Sequence, residues 1–218
     1  MKTALVFGSS GLIGGHLLNQ LIENNNYNKI KIFIRLESEI NDPKVEIIKT
    51  DFNNLENHRE DIKGDDCFFC IGTTRQNSPD KNDYRRVELD IPKEIAQIAK
   101  SNSINSFVFV SSGYADPKSS GDYLKFKGEV EEELKRLNFP KLGIMRPSFL
   151  LGDRKEKRIG EKIGIFVFKL LSPLFLGPLK KMKPIHSETV AKAMIKISRS
   201  ENDQIIFESN EIVKLSIS

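Results

Sequence analysis

The first fourteen residues, MKTALVFGSSGLIG, constrain the fold more than any other segment of the chain. Ala4 to Phe7 form an apolar run of strand length, and Gly8, Gly11 and Gly14 follow at three-residue spacing. Apolar residues then recur at helical spacing as far as Ile22. Glycines let a backbone approach a pyrophosphate closely, and the N–H groups of a first helical turn point towards it. The segment therefore predicts the strand, turn and helix of a dinucleotide-binding unit, with an ordinary tight turn as the alternative.

Apolar runs and helical patterns alternate along most of the chain. The predicted later strands are Lys29–Arg35, Val45–Thr50, Asp66–Ile71, Ser106–Ser111, Leu142–Met145 and Gln204–Glu208. The predicted helices are Leu12–Asn24, Asp83–Ser101, Gly121–Leu137, Glu161–Leu171 and Ser187–Ser198, the last with Ser187 as its N-cap. This alternation predicts an α/β fold, a Rossmann-type doubly wound parallel sheet in one domain spanning residues 1–218. Residues 150–200 are expected to add a small substrate-side lobe.

Composition narrows the functional classes. The 218 residues carry a formal net charge of +4 without a dense basic stripe, so nucleic-acid binding is not expected. The apolar stretch Ile163 to Leu179 is interrupted by Pro173 and Pro178, which argues against a membrane span. No targeting segment is recognised, so a cytoplasmic location is expected. Cys67 and Cys70 are expected to be core residues rather than a redox pair or half a metal site, because side chains three apart on a strand point to opposite faces.

The end of the second strand indicates which cofactor is preferred. An NAD-binding unit usually has an acidic residue there to bind the ribose hydroxyls, whereas this chain has Arg35. A guanidinium binds a 2′-phosphate, so NADP(H) is favoured over NAD(H). Two alternatives remain at this stage: Glu37 could bind the ribose of NAD, and Arg35 could be a solvated residue at a strand end.

Residues after the third and fourth strands are further cofactor candidates. Asp51 could accept a hydrogen bond from the adenine amine, and Phe52 could cover the ring or belong to the core. Gly72 would let the backbone pass close to the cofactor, and Thr73 and Thr74 offer hydroxyl groups.

The catalytic candidates are Tyr123 and Lys127, which lie one turn apart on a predicted helix, and Ser111 and Ser112, which close the fifth strand. A lysine ammonium together with an oxidised nicotinamide stabilises a tyrosine phenolate. Tyr123 would then act as acid in carbonyl reduction or as base in alcohol oxidation. A serine hydroxyl would orient the carbonyl oxygen, with Ser111 preferred over Ser112.

These motifs together resemble those of the atypical short-chain dehydrogenases, specifically the Tat-interacting-protein type within the NAD(P)-binding epimerase-like group. The resemblance is carried by GSSGLIG at residues 8–14, CIGTTR at 70–75, VSS at 110–112, YLKFKGEVE at 123–131 and MRPSFLLGDR at 145–154. It implies that Ser10, Gly11, Leu12, Ile13 and Arg35 line the nucleotide. It also implies that Lys127 binds the nicotinamide ribose and that the backbone around Pro147 lies near the carboxamide.

The resemblance also has departures and alternatives. Many relatives carry an asparagine in the helix before the fifth strand, where this chain has Glu88 and Asp90. The favoured hypothesis is an NADP(H)-dependent oxidoreductase acting on a small carbonyl compound or secondary alcohol. The alternatives are an NADP(H)-sensing regulatory protein and a nucleotide-sugar epimerase-like enzyme, the latter disfavoured by the short chain. The resemblance further suggests a homodimer.

Overall fold

A computed structural model describes residues 1–152, 184–201 and 203–217, and its centre is a seven-stranded parallel sheet. The strands are β1 Lys2–Phe7, β2 Tyr27–Ile34, β3 Val45–Lys49, β4 Asp66–Phe69, β5 Ser106–Val110, β6 Lys141–Arg146, β7 Leu150–Leu151, β8 Ile185–His186 and β9 Ile206–Glu208. The sheet order is β3-β2-β1-β4-β5-β6-β9, while β7 and β8 form a separate two-stranded sheet. The order reverses between β1 and β4, which is where a doubly wound sheet binds its ligand. The predicted Rossmann-type sheet is confirmed.

Helices cover both faces of the sheet. They are α1 Leu12–Glu23, α2 Lys81–Arg85, α3 Ile91–Ser101, α4 Asp122–Leu137, α5 Ser187–Ile197 and α6 Ser209–Ile217. Helices α1, α5 and α6 pack on one face, whereas α3 and α4 pack on the other. No helix in the described ranges is long and apolar enough to cross a membrane.

The first strand shows why a near-continuous apolar run is needed in this position. Leu5 and Phe7 belong to the hydrophobic cluster on one face of the sheet, and Ala4 and Val6 belong to the cluster on the other. All four are completely buried, as expected for a central parallel strand with helices on both sides. The ring of Phe7 also stacks on Phe33 of β2, with ring centroids 4.3 Å apart.

The two cysteines are core residues, as their spacing predicts. Cys67 packs in the same cluster as Leu5, whereas Cys70 contacts the cluster on the opposite face, and both thiols are free. Burial raises the pKa of Cys70 to about 12, so its thiol stays protonated at neutral pH.

The predicted helix Asp83–Ser101 differs from the structure in one informative way. It begins earlier, at Lys81, and a π-helical turn at Arg86–Asp90 separates α2 from α3. Pro92 has no N–H to donate to the carbonyl group four residues earlier, and the Ile91 N–H instead bonds to the Arg86 carbonyl, five residues back. The widened turn therefore lies directly before the proline at which the regular helix α3 begins.

Other differences lie in the C-terminal part. Ser187 is the first residue of α5 rather than its N-cap, which is His186. Helix α6 was not predicted. The predicted helix Glu161–Leu171, and most of the predicted lobe at 150–200, lie outside the described residues. Within those residues, α5 packs against α1 and the main sheet.

Candidate functional site

The glycine turn after β1 leaves the N-terminus of α1 open. Gly8 adopts a φ of +91°, and a Cβ atom on it would lie 2.8 Å from the backbone carbonyl carbon of Cys70. The Gly11 N–H donates to the Gly8 carbonyl over 3.0 Å, and Gly11 caps α1 without any side-chain hydrogen bond to the helix. The N–H groups of the first turn of α1 therefore have no side-chain cap. This arrangement fits a pyrophosphate group.

A cleft of about 650 Å³ runs along the carboxyl ends of β1 to β4. Eight of the predicted cofactor residues line it: Gly8, Ser10, Gly11, Arg35, Asp51, Phe52, Gly72 and Thr73. The other predicted cofactor residues are not in its lining and remain predictions: Leu12, Ile13, Gly14, Thr74, Lys127 and Pro147. Lining residues that sequence reasoning missed include Ser78, Asp83, Arg86 and Val87, which come from α2 and the segments around it.

Hydrogen bonds between side chains and the backbone fix the segment after β3, at one end of this cleft. Phe52 is buried with a φ of 62°, and Arg86 donates to its carbonyl oxygen over 2.5 Å. The exposed Asp51 carboxylate accepts from the backbone N–H and the side-chain amide of Asn53, at 2.9 and 3.0 Å. These bonds stabilise the ionised form of the carboxylate and so lower the pKa of Asp51.

Arg35 is exposed just beyond the end of β2 and lines the same cleft. The carboxylate of Glu37, the competing candidate for an NAD ribose, accepts a hydrogen bond from Lys49 of β3. The guanidinium of Arg35 makes no ion pair with any described residue, so it is available to an anionic ligand.

The Tyr–Lys pair lies on α4, directly beside the cofactor cleft. Tyr123 is 40% exposed, whereas Lys127 is only 3% exposed. A Cβ on Gly72, which lines the cleft, would lie 3.9 Å from the Lys127 Nζ. Gly128 lets the loop before α4 pack onto this helix, because a Cβ there would lie 2.2 Å from the Pro117 nitrogen. The site is therefore assembled from α4, this loop and the segment after β4.

Glu88 is the site residue whose role the sequence did not reveal. Its Oε2 lies 3.0 Å from the Lys127 Nζ, and its Oε1 accepts from the Thr73 N–H over 2.5 Å. Burial would lower the pKa of Lys127, but the charge of Glu88, helped by Tyr123 and Glu131, raises it overall. Lys127 therefore stays an ammonium group despite its burial. A buried acid in a predicted helix, four residues before a proline, was the available signal.

The two candidate serines have different surroundings. The buried Ser111 hydroxyl donates to Glu131, and Glu131 also binds Arg146. Ser112 is only partly buried, and its hydroxyl makes a long 3.3 Å bond to the Gly113 carbonyl. Ser111 therefore belongs to a buried polar network, and Ser112 has the more available hydroxyl.

The loop after β4 contacts the start of α4. Arg75 forms an ion pair with Asp122, immediately before the candidate tyrosine, and its guanidinium lies 4.4 Å from the centre of the Tyr84 ring. The Thr74 hydroxyl accepts from the Asn77 N–H over 3.3 Å. Thr74 therefore stabilises the turn of this loop.

Pro147 lies on the other side of the site. It is buried, and its carbonyl accepts from the Gly113 N–H over 3.1 Å. The segment after β6 thus holds the loop that carries Ser112.

A family model described as NAD(P)H-binding matches residues 8–200. The chain belongs to this NAD(P)H-binding family. Rat protein HTATIP2 is 34% identical over 166 residues, covering 73% of this chain and 67% of the rat protein. The mitochondrial protein FMP52 of Debaryomyces hansenii is 32% identical over 200 residues, covering 90% of this chain and 87% of the yeast protein. The resemblance to the atypical short-chain dehydrogenases is confirmed.

The names of the FMP52 relatives correct one expectation. FMP52 proteins from several yeasts match most of this chain, and all of them are named mitochondrial. The expectation of a cytoplasmic location is therefore wrong, since these relatives point to mitochondria.

Solved structures with the same fold include an enzyme in complex with NAD⁺ and a UDP-glucose 4-epimerase. The enzyme WbmH of Bordetella bronchiseptica, in complex with NAD⁺, aligns with a TM-score of 0.72 at 16% identity, covering 100% of this chain and 80% of that one. A UDP-glucose 4-epimerase of Thermotoga maritima aligns with a TM-score of 0.71 at 14% identity, covering 98% and 81%. At these identities the likeness shows the fold alone.

Proposed function

We propose that this protein is an NADP(H)-dependent oxidoreductase that reduces or forms a carbonyl group on a small molecule. The observation that carries the proposal is the position of Tyr123 and Lys127 beside the cleft that holds the glycine turn and Arg35. A buried lysine and a partly exposed tyrosine are what an acid–base site facing a substrate needs.

The residues at the cleft fit an NADP(H) molecule. Bound there, the nicotinamide supplies or accepts the hydride at the carbonyl carbon. The open N-terminus of α1 binds the pyrophosphate, and Arg35 binds the 2′-phosphate. Lys49 offsets the charge of Glu37, which reduces the repulsion between that carboxylate and a phosphate.

Side chains of this protein carry out the proton transfer and the hydrogen bonding at the carbonyl oxygen. Tyr123 donates its hydroxyl proton to that oxygen in reduction and takes it back in oxidation. Ser112 donates a hydrogen bond to the same oxygen and so stabilises its developing negative charge. Lys127, which lies next to Gly72, would bind the nicotinamide ribose.

The first test is a fluorescence titration with NADPH and NADH, for which the absence of tryptophan in the sequence is an advantage. We expect wild type to bind NADPH more tightly, and Arg35→Ala to lose NADPH affinity by about ten- to a hundredfold while NADH affinity changes little. Arg136→Ala, on the exposed side of α4, is the matched control.

Equal affinities for both cofactors, or an Arg35→Ala variant indistinguishable from Arg136→Ala, would remove the NADP preference. A failure to bind either cofactor would remove the proposed function. Tight binding followed by a carbonyl screen without turnover would favour the regulatory alternative.

A further inference from the structure

The π-helical turn between α2 and α3 places an acidic side chain at the Tyr–Lys site. Glu88 lies in the middle of this turn and is only 1% exposed. Single π-helical turns within α-helices occur frequently at functional sites, where they reorient a side chain. Here the widened turn carries Glu88, whose carboxylate lies against Lys127 of α4.

The contacts of Glu88 are those of an ionised carboxylate. One oxygen accepts from the backbone N–H of Thr73, and the other lies 3.0 Å from the ammonium of Lys127. The first oxygen acts as an acceptor and the second, which is buried, faces the ammonium group, as expected of the deprotonated form. The ammonium near Tyr123 is therefore half of a buried ion pair rather than a lone positive charge.

Two further carboxylates near Lys127 and Tyr123 are themselves paired. The Glu131 carboxylate pairs with Arg146, and Asp122 pairs with Arg75. The neutral groups are the Cys70 thiol and the Tyr84 hydroxyl: burial raises the pKa of each to about 12, and for Tyr84 the charge of Glu88 adds to the effect. The pair of Glu88 and Lys127 is thus the buried ion pair next to Tyr123 whose balance a substitution of Glu88 changes.

We infer that Glu88 offsets the charge of Lys127 at Tyr123, so that the phenolate needed for alcohol oxidation forms only at a higher pH than it would beside a lone ammonium group. A tyrosine that starts protonated is ready to act as an acid, whereas alcohol oxidation needs the phenolate. This inference rests on the proposed function and adds the pH dependence of the two directions of the reaction. Glu88 acts through Lys127 and through Thr73 in the loop after β4, and it is therefore a positioning residue.

The test measures the ionisation of Tyr123 directly and needs no substrate. The chain has four tyrosines, so a sample labelled with ¹³C at the tyrosine Cζ atoms gives four signals that can be followed by NMR against pH. The Tyr123 signal is the one that Tyr123→Phe removes. We expect Glu88→Gln to lower the Tyr123 midpoint by about one pH unit, because the ammonium is then unopposed.

Asp90→Asn is the matched control, since Asp90 lies in the same turn but pairs with Arg85. It removes the same charge and is expected to leave the Tyr123 midpoint unchanged. A Glu88→Gln midpoint that equals the control, or rises, would overturn the inference.

If Glu88→Gln alone does not fold, the double variant Glu88→Gln with Lys127→Met provides the test. The double variant replaces both members of the ion pair, so no lone charge is left buried. If the pair cancels in wild type, the double variant has a Tyr123 midpoint within a few tenths of a unit of wild type. A midpoint higher by about one unit or more would show that Lys127 acts uncompensated, against the inference. NADPH titration of wild type, described above, reports separately on the proposed function.

Discussion

Gly14 lies against Gly8 so closely that a Cβ atom on Gly14 would be 2.0 Å from the Gly8 carbonyl oxygen. This contact joins the first helix to the first strand at the turn. The third glycine of the motif therefore serves helix–strand packing, whereas the positive φ of Gly8 shapes the turn itself.

Gly14→Ala is accordingly expected to destabilise the fold by about 1–3 kcal/mol, because the backbone of the turn must move to admit the methyl group. Gly15→Ala is the matched control. Its Cβ would lie 3.6 Å from the Ser9 carbonyl oxygen, an ordinary contact, and alanine is the better helix former. Urea denaturation of the three proteins measures the difference. A Gly14→Ala variant as stable as Gly15→Ala would contradict the packing role.

The buried side chains also predict a loss of stability at alkaline pH. Burial raises the pKa of Cys67 well above its ordinary value, and burial together with Asp66 raises that of Tyr27. In the folded protein these groups stay protonated at pH values where the unfolded chain has released the proton. Their contribution to the free energy of unfolding is therefore complete below about pH 8.5 for the thiol and about pH 10 for the phenol. This contribution is lost as pH rises further.

We expect the free energy of unfolding to fall between pH 8.5 and 10 by up to about 1.4 kcal/mol per pH unit for each such thiol. Cys67→Ala is expected to be less stable at neutral pH, since it leaves a small cavity, but to show a shallower slope in this range. Urea denaturation at several pH values measures both slopes. Parallel slopes in the two proteins would exclude Cys67 as a cause.

The sheet could be predicted from the sequence because its central strands are buried on both faces. Each such strand is a run of apolar residues, and its register is determined by the same residues that fill the core, such as Phe7 and Phe69. Helix α6 was missed for a physical reason. Its apolar residues Ile212, Val213, Leu215 and Ile217 alternate almost as in a strand, and only tertiary contacts select the helix.

The site was predictable to the extent that its residues follow local motifs. The Tyr–Lys spacing needs only one helical turn, so α4 could be recognised without a structure. The partner of Lys127 could not, because Glu88 reaches it from another helix through a π-helical turn. The two serines are adjacent in sequence, and only the position of Glu131 distinguishes their environments.

Tyr123→Phe is expected to abolish turnover of any carbonyl substrate while cofactor affinity stays within about twofold of wild type, because only the transferred proton is lost. Tyr114→Phe is the matched control, as Tyr114 is also exposed and also loses one hydroxyl group. Steady-state rates and NADPH titrations measure the two effects. Turnover of Tyr123→Phe at the rate of the control would remove Tyr123 from its proposed role.

The final prediction separates the two serines. Ser112→Ala is expected to lower kcat by about 10²–10³-fold, the usual effect of removing a hydrogen bond to a developing oxyanion, with little change in stability. Ser111→Ala is expected to do the reverse. Its hydroxyl donates to the buried Glu131, so its loss should cost about 1–3 kcal/mol of stability and leave kcat nearly unchanged.

Each serine variant is thus the control for the other, and kcat and urea denaturation are measured on both. The assignment depends on where each hydroxyl is engaged: the Ser111 hydroxyl is buried and donates to the Glu131 carboxylate, so moving it to a substrate would break a hydrogen bond to a charged group. Ser112 has only a long bond to Gly113 to break before it can reach a substrate. A large loss of kcat in Ser111→Ala with a nearly active Ser112→Ala would reverse the assignment.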